Sequence, residues 1–219
     1  MKKILMLVVL FTLSLTVTAQ EKITEGVITL KQNYSSNDEA TQAQLAMMGE
    51  MITTTFFKGK KSRVEVSNPM SGDITIITDS ESMESLTLMD NPMIGKKYQK
   101  QTIEVPKDES DNFKVVDGTE TKTILGYECK QKHLTIKEGG SEIKMVMYVT
   151  DKIAPVLSQQ NAQFGDKLGG FPLYTEMSMT QGETEFTIVS EVTEVKSEKV
   201  ADSKFSLTPP EGYSKMEGM

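Results

Sequence analysis

Residues 171–200, FPLYTEMSMTQGETEFTIVSEVTEVKSEKV, form two alternating runs hinged on Gln181-Gly182. Met177 and Met179 alternate with Glu176 and Ser178 before the hinge, and Phe186 and Ile188 alternate with Glu185 and Thr187 after it. Side chains on a strand point to opposite faces at period two, so each run carries an apolar and a polar face. Two such runs around a glycine predict a long antiparallel hairpin. The preceding SEIKMVMYVTD repeats the pattern, with Ile143, Met145, Met147 and Val149 on one face. Before that, ETKTILGYECKQKHLTIKE has the same strand texture.

The first half of the chain is built the same way. GVITLKQNY places Ile28 and Leu30 on the face opposite Thr29 and Lys31, and MITTTFFKGKKSRVEVSNP predicts a hairpin around Lys58-Gly59-Lys60 that returns through Val64 and Val66. SGDITIITDS, ESLTLMD and KKYQKQTIEVP add three strands, the last ending at Pro106, and Pro69 and Pro92, each after an asparagine, mark turns. SSNDEATQAQLAMMGEM breaks the rhythm. Ser36 or Asn37 can cap a helix there, Asp38 and Glu39 suit its first turn, and Leu45, Met48 and Met51 can cover one side of a sheet.

Three segments carry no clear period. PKDESDNFKVVDGTE, from Pro106 to Glu120, is polar and acidic and predicts an exposed loop. KIAPVLSQQNAQFG predicts a short helical turn or an irregular crossover, and in the closing DSKFSLTPPEGYSKM the pair Pro209-Pro210 is expected to stop any further strand. The class is mainly β, with ten or eleven antiparallel strands and one or two helices in a single domain over residues 20–219. Sheets of that width curl, and their open edges must be closed or covered. A single curved antiparallel sheet forming an incomplete, half-open barrel, with helices over its concave face, satisfies both conditions.

The N-terminus predicts where this domain works. MKKILMLVVLFTLSLTVTA has basic Lys2 and Lys3, an apolar run from Ile4 to Leu15, and a small-residue end at Ala19. That is the three-part layout of a secretory signal peptide, with cleavage after Ala19. Gln20 stands where a lipoprotein would need a cysteine, so the expected product is periplasmic, soluble and not itself lipid-anchored. Loss of two lysines with the leader takes the formal charge from −7 to −9. An acidic surface repels phosphate backbones and argues against nucleic acid as a partner. Once the leader is removed, no membrane span is expected. The single cysteine, Cys129, excludes an intramolecular disulfide.

No catalytic constellation emerges, and neither a cofactor nor a metal is implied. His133 is the only histidine. It shares a predicted strand face with Cys129, and four residues of strand separate the two by about 13 Å, too far to share a proton or a metal. The M-x-M pairs Met145/Met147 and Met177/Met179 permit core packing, an adaptable apolar lining, or soft ligation of Cu(I). Asp108, Glu109 and Asp111 lack the spacing of a calcium loop, and Glu183 and Glu185 follow a hairpin turn where solvated charge is ordinary. Lys58, Lys60, Lys61 and Arg63 cluster on one hairpin, either as a solvated turn or as a local anion-docking patch.

Three segments carry a family resemblance: EGVITLKQNY, the ending FSLTPPEGYSKM and, most specifically, Thr121 to Lys130, TKTILGYECK. The last resembles the signature of an exported family of unknown function in Gram-negative bacteria with a LolA/LolB-like fold. The resemblance implies a curved, incompletely closed antiparallel barrel whose concave apolar face, covered by helices, takes up acyl chains. Tyr127 and Cys129 match the signature, with no activity attached to either. The carriers' arginine, which engages the covering helices, has no motif-supported counterpart here; Arg63 is the only arginine available.

The expected function is a non-enzymatic binding or carrier role for an apolar ligand, a lipid or an acylated envelope protein. Its candidate lining, chosen by alternation, is Met145, Met147, Val149, Met177, Met179, Phe186 and Ile188, with Leu45 and Met48 as lid residues. A cell-envelope structural or protein-interaction module that binds no small molecule is the alternative.

Overall fold

The computed structural model describes residues 21–68, 72–103, 113–138, 141–156 and 165–216. In chain order these residues form β1 (Glu25–Ser36), α1 (Glu39–Met48), β2 (Met51–Lys58), β3 (Lys61–Asn68), β4 (Gly72–Asp79), β5 (Glu84–Asn91), β6 (Gly95–Thr102) and β7 (Phe113–Ile124). There follow β8 (Tyr127–Glu138), β9 (Ser141–Thr150), α2 (Gly165–Leu168), β10 (Phe171–Gln181), β11 (Thr184–Lys196) and β12 (Ser214–Lys215). All twelve strands belong to one sheet, in the order β12-β6-β5-β4-β3-β2-β1-β11-β10-β9-β8-β7. Every neighbouring pair is antiparallel except β12 beside β6. The two edges, β12 and β7, do not pair, so the sheet is half-open. Among the described residues no helix is long and apolar enough to cross a membrane.

The turns explain the connectivity. Gly59 and Gly182 take φ of 58° and 65° at the first central position of the two-residue β2–β3 and β10–β11 loops. That left-handed conformation matches the twist of the flanking strands and costs glycine little. Between β7 and β8 both loop residues are left-handed, Leu125 at 51° and Gly126 at 81°. The TKTILGYECK stretch is therefore a hairpin tip.

Two expectations need correction. Phe113 to Glu120, read as loop, belongs to β7, while residues 104–112, including Pro106 and the Asp108 cluster, lie outside the described residues. After Pro209-Pro210 the chain turns, with Tyr213 N–H donating to Pro210 O at 3.3 Å, and then adds β12 parallel to β6. The missing N–H groups of the prolines do not prevent pairing several residues later. This strand takes the count to twelve.

Irregular register bends the sheet. Shifts fall between Thr29 and Leu30 against β11, and between Pro172 and Tyr174 against β9. Extra residues at such bulges bend a strand and increase its twist. Packing then occurs in three clusters. Ile28, Phe57, Cys129, Tyr148, Ile153, Leu173 and Val192 form the first, and Leu168 of α2 covers Leu134, Met147 and Val149 to make the second. In the third, Val200 and Phe205 of the C-terminal segment pack on Ile77, Leu86 and Leu88.

Candidate functional site

The cross-strand register sets one face of the sheet. Pairs directly opposite each other on neighbouring strands share a face, so Leu30, Thr53 and Val66 form one row, Thr55, Val64 and Ile76 the next, and Ser62 and Thr78 a third. On the other side of β1 the row Gln32–Ser190–Thr175–Met147 continues the same face through β11 and β10 to β9. A cavity of about 950 Å³ lies on this face. Leu30, Val64, Val66, Ile76, Met145 and Met147 supply its main apolar sheet wall, interspersed with Thr53, Thr55, Thr78 and Thr175. Ala154, Pro155 and Val156 after β9, Leu168 and Gly170 at α2, and Phe171 and Pro172 at the start of β10 complete the lining.

The connection between β9 and β10 is fixed at both ends. Ile23 N–H donates to Lys152 O at 2.8 Å and Ala154 N–H donates back to Ile23 O at 2.9 Å. Gly170 touches the backbone of Thr150 so closely that a Cβ would lie 2.1 Å from its carbonyl oxygen. Only glycine allows that approach.

The seven residues singled out by alternation are distributed along this face. Met145 and Met147 line the cavity. Val149 lies below its wall, 5% exposed and packed with Leu134, Met147 and Leu168. Met177 stands between Met145 and Ile188, and Met179 stands opposite Phe186. These four extend the face towards Tyr34 and Ser36, half-buried and outside the cavity lining. Leu45 is half-buried on α1, which packs against β1, and is not part of the cavity lining, while the Met48 side chain lies outside what is described. The helix cap is Asp38 rather than Ser36 or Asn37: Thr41 N–H donates to its carboxylate at 2.8 Å. Those hydrogen bonds hold the Asp38 carboxyl below the usual range. Asn37 instead bonds the β10–β11 turn, its side-chain oxygen accepting from Glu185 N–H and its amide donating to Glu183 O.

The basic hairpin separates into two groups. Lys58 Nζ lies 2.7 Å from Asp202 and 3.6 Å from Glu25. Arg63 Nε meets Glu65 at 2.6 Å and donates through Nη1 to Lys204 O. These contacts fasten the C-terminal segment to the sheet. Lys60 and Lys61 instead line the cavity beside Lys22, a placement that sequence reasoning missed because a charged hairpin tip carries no signal of what folds over it.

The remaining polar candidates lie elsewhere. Cys129 is fully buried, which pushes its thiol up to about 11, whereas His133 on the same strand is exposed. Tyr148 and Tyr174 face each other across β9 and β10 with centroids 5.9 Å apart. Their hydroxyls donate to Glu120 and Glu176, and Lys122 lies over the Tyr148 ring. Among the described residues no group of three or more His, Cys, Asp or Glu is placed to hold a metal ion.

No curated protein sequence matches this chain. Two solved structures of PNGF-II, in different space groups, align with 87% and 86% of the chain at 15% and 16% identity, with TM-scores of 0.45 and 0.42. The chain spans 32% and 30% of the length of those PNGF-II chains. A family model described as a domain of unknown function, DUF4412, matches residues 39–213, and the chain belongs to that family.

Proposed function

We propose that this protein is a non-enzymatic binding or carrier protein for an apolar ligand, a lipid or an acylated lipoprotein. The single observation supporting this reading is the cavity of about 950 Å³ on the sheet face, with Leu30, Val64, Val66, Ile76, Met145 and Met147 in its wall. Small-molecule sites occupy about 300–1,000 Å³, so this volume accommodates an acyl chain. Each methylene moved from water into such a site is worth about 0.8 kcal/mol. A carrier built this way needs apolar area and no reacting groups.

The proposal extends to the resemblance and the address. The half-open twelve-stranded sheet accords with a LolA/LolB-like carrier. The leader-like N-terminus accords with export to the periplasm and cleavage after Ala19. In this reading Ala154, Pro155, Val156 and Leu168 cover the ligand, in place of α1.

Native mass spectrometry on the protein purified from periplasm without detergent tests the proposal. The expected result is a fraction carrying the added mass of an acyl-chain lipid. A protein that carries no lipid and takes up no acyl-chain probe in titration would sink it. A second reading, an envelope interaction module, draws on the β5–β6 turn, where Met93 and Ile94 are 92% and 54% exposed. Two neighbouring apolar side chains at a loop tip are a small contact for a partner.

A further inference from the structure

The cavity is not chemically uniform along its length. Three lysines, Lys22, Lys60 and Lys61, are among its lining residues, and among the described residues no Asp or Glu is. In a chain with 31 acidic and 24 basic residues, that is the reverse of the overall balance. The lysines also share one end. Lys60 and Lys61 belong to the β2–β3 turn region, and Lys22 precedes the start of β1. Gly59 N–H donates to Thr24 O at 2.8 Å, tying that turn to the N-terminal segment. Ser80, at the β4–β5 turn, donates to Lys60 O through both its backbone N–H and its hydroxyl, at 2.9 and 2.8 Å. The reciprocal bonds between Ile23 and the 152–154 segment complete this rim.

Away from this rim the wall becomes apolar. The Ser62–Thr78 row comes first, then Thr55–Val64–Ile76, then Leu30–Thr53–Val66, with Met145 and Met147 across from them. The lysines also differ in how far they are neutralised. Lys61 has Asp79 at 3.9 Å, whereas among the described residues no carboxylate pairs with the ammonium of Lys22 or Lys60. Unpaired cations at the mouth of an apolar cavity attract an anion and hold it at the water boundary.

We infer that the cavity takes a single-chain anionic amphiphile, with the acyl chain along the Val64–Ile76–Met147 wall and a carboxylate or phosphate headgroup at the Lys22–Lys60–Lys61 rim. This rests on the apolar-ligand reading and names the ligand class for it. Both headgroups offer oxygens that accept from ammonium groups, so the chemistry recognised is the same. A neutral amphiphile of equal chain length fills the same wall and gains nothing at the rim.

Calorimetric titration of the mature protein with dodecanoate, dodecyl phosphate and dodecanol, each below its micellar concentration, tests this. Both anions are expected to bind roughly tenfold or more tightly than the alcohol, a difference of about 1.4 kcal/mol. The triple variant Lys22→Gln/Lys60→Gln/Lys61→Gln should lose that advantage and keep dodecanol affinity. A control, Lys114→Gln/Lys130→Gln/Lys137→Gln, removes the same charge from exposed positions on the β7–β8 hairpin and should keep the anion preference. Tighter binding of only one anion identifies that headgroup as the one the rim accepts. Equal binding of all three probes, or an anion preference untouched by the rim variant, overturns the headgroup assignment while the apolar-ligand reading stands. Binding of none of them overturns both.

Discussion

The Lys58 ammonium lies 2.7 Å from the Asp202 carboxylate, joining the β2–β3 hairpin to the segment that follows β11. This contact raises the affinity of Lys58 for its proton and lowers that of Asp202. Both groups are solvated, and exposed pairs contribute little to stability. The larger hold is Phe205, 5% exposed against Ile77, Leu86 and Leu88. Phe205→Ala should cost about 3–5 kcal/mol, the range for deleting a buried aromatic ring. Asp202→Asn should cost much less. Denaturant midpoints with unchanged slopes check the ranking, and equal losses would mean that the ion pair holds the segment.

Tyr174 carries a second consequence for stability. Burial, then its hydrogen bond to Glu176, then the charges of Glu176, Glu191 and Tyr148 push its hydroxyl from 10.0 up to about 12. A phenol whose folded pKa is raised binds its proton more tightly in the native state. Its contribution is complete below pH 10.0 and is lost as pH rises through about 12. Tyr174→Phe has no phenol to ionise, so the parent should lose stability relative to it as pH rises from 10.0 through about 12. Thermal midpoints measured at steps of pH test the sign, and a parent that gains on the variant across that window would contradict it.

Cys129 should be chemically silent in the folded protein. Its thiol is buried among Ile28, Tyr148 and Leu173, and desolvation lifts it from 9.0 to about 11. The thiolate is the reactive form, so both access and ionisation oppose modification. Iodoacetamide at mildly alkaline pH is expected to leave the native chain unlabelled and to label it in denaturant, as followed by intact mass. Rapid native labelling would show that this part of the core opens readily.

The hairpins were legible because their signals are local. Gly59 and Gly182 sit between period-two runs, and turn and register follow from that alone. β7 was hidden by its place at the sheet edge. In its first half Phe113 and Val115 turn to the core while Lys114 and Val116 are exposed, a register shift between Asp117 and Thr121 interrupts the alternation, and Ile124 packs on the core again only at the far end. The cavity wall was half legible. Alternation put Met145, Met147, Met177, Met179, Phe186 and Ile188 on one face, because the register of β9, β10 and β11 is regular where they pair. It gave no sign that Ala154, Pro155 and Val156 would meet Leu168, Phe171 and Pro172 at the cavity. Lys22 carried no signal as a site residue, and Lys60 and Lys61 were legible only as a basic hairpin, because they line a cavity only after distant segments fold across.

Val64 and Leu134 separate cavity from core. Val64 lines the cavity between Thr55 and Ile76, while Leu134 is 1% exposed in the cluster beneath α2. Enlarging a side chain in a packed core costs about 1–3 kcal/mol, because neighbours must leave their rotamers. A residue facing about 950 Å³ of open space has room for a ring. Val64→Phe should leave the melting temperature within a few degrees of the parent and weaken binding of an acyl probe several-fold, since the ring occupies volume the chain would use. Leu134→Ala should do the reverse. It should lose about 2–5 kcal/mol of stability to the cavity it creates and retain affinity under conditions where it stays folded. A Val64→Phe protein that unfolds as readily as Leu134→Ala would mean that the space beside β3 is filled in solution. A stable Val64→Phe protein with unchanged acyl binding would place the ligand elsewhere on the sheet.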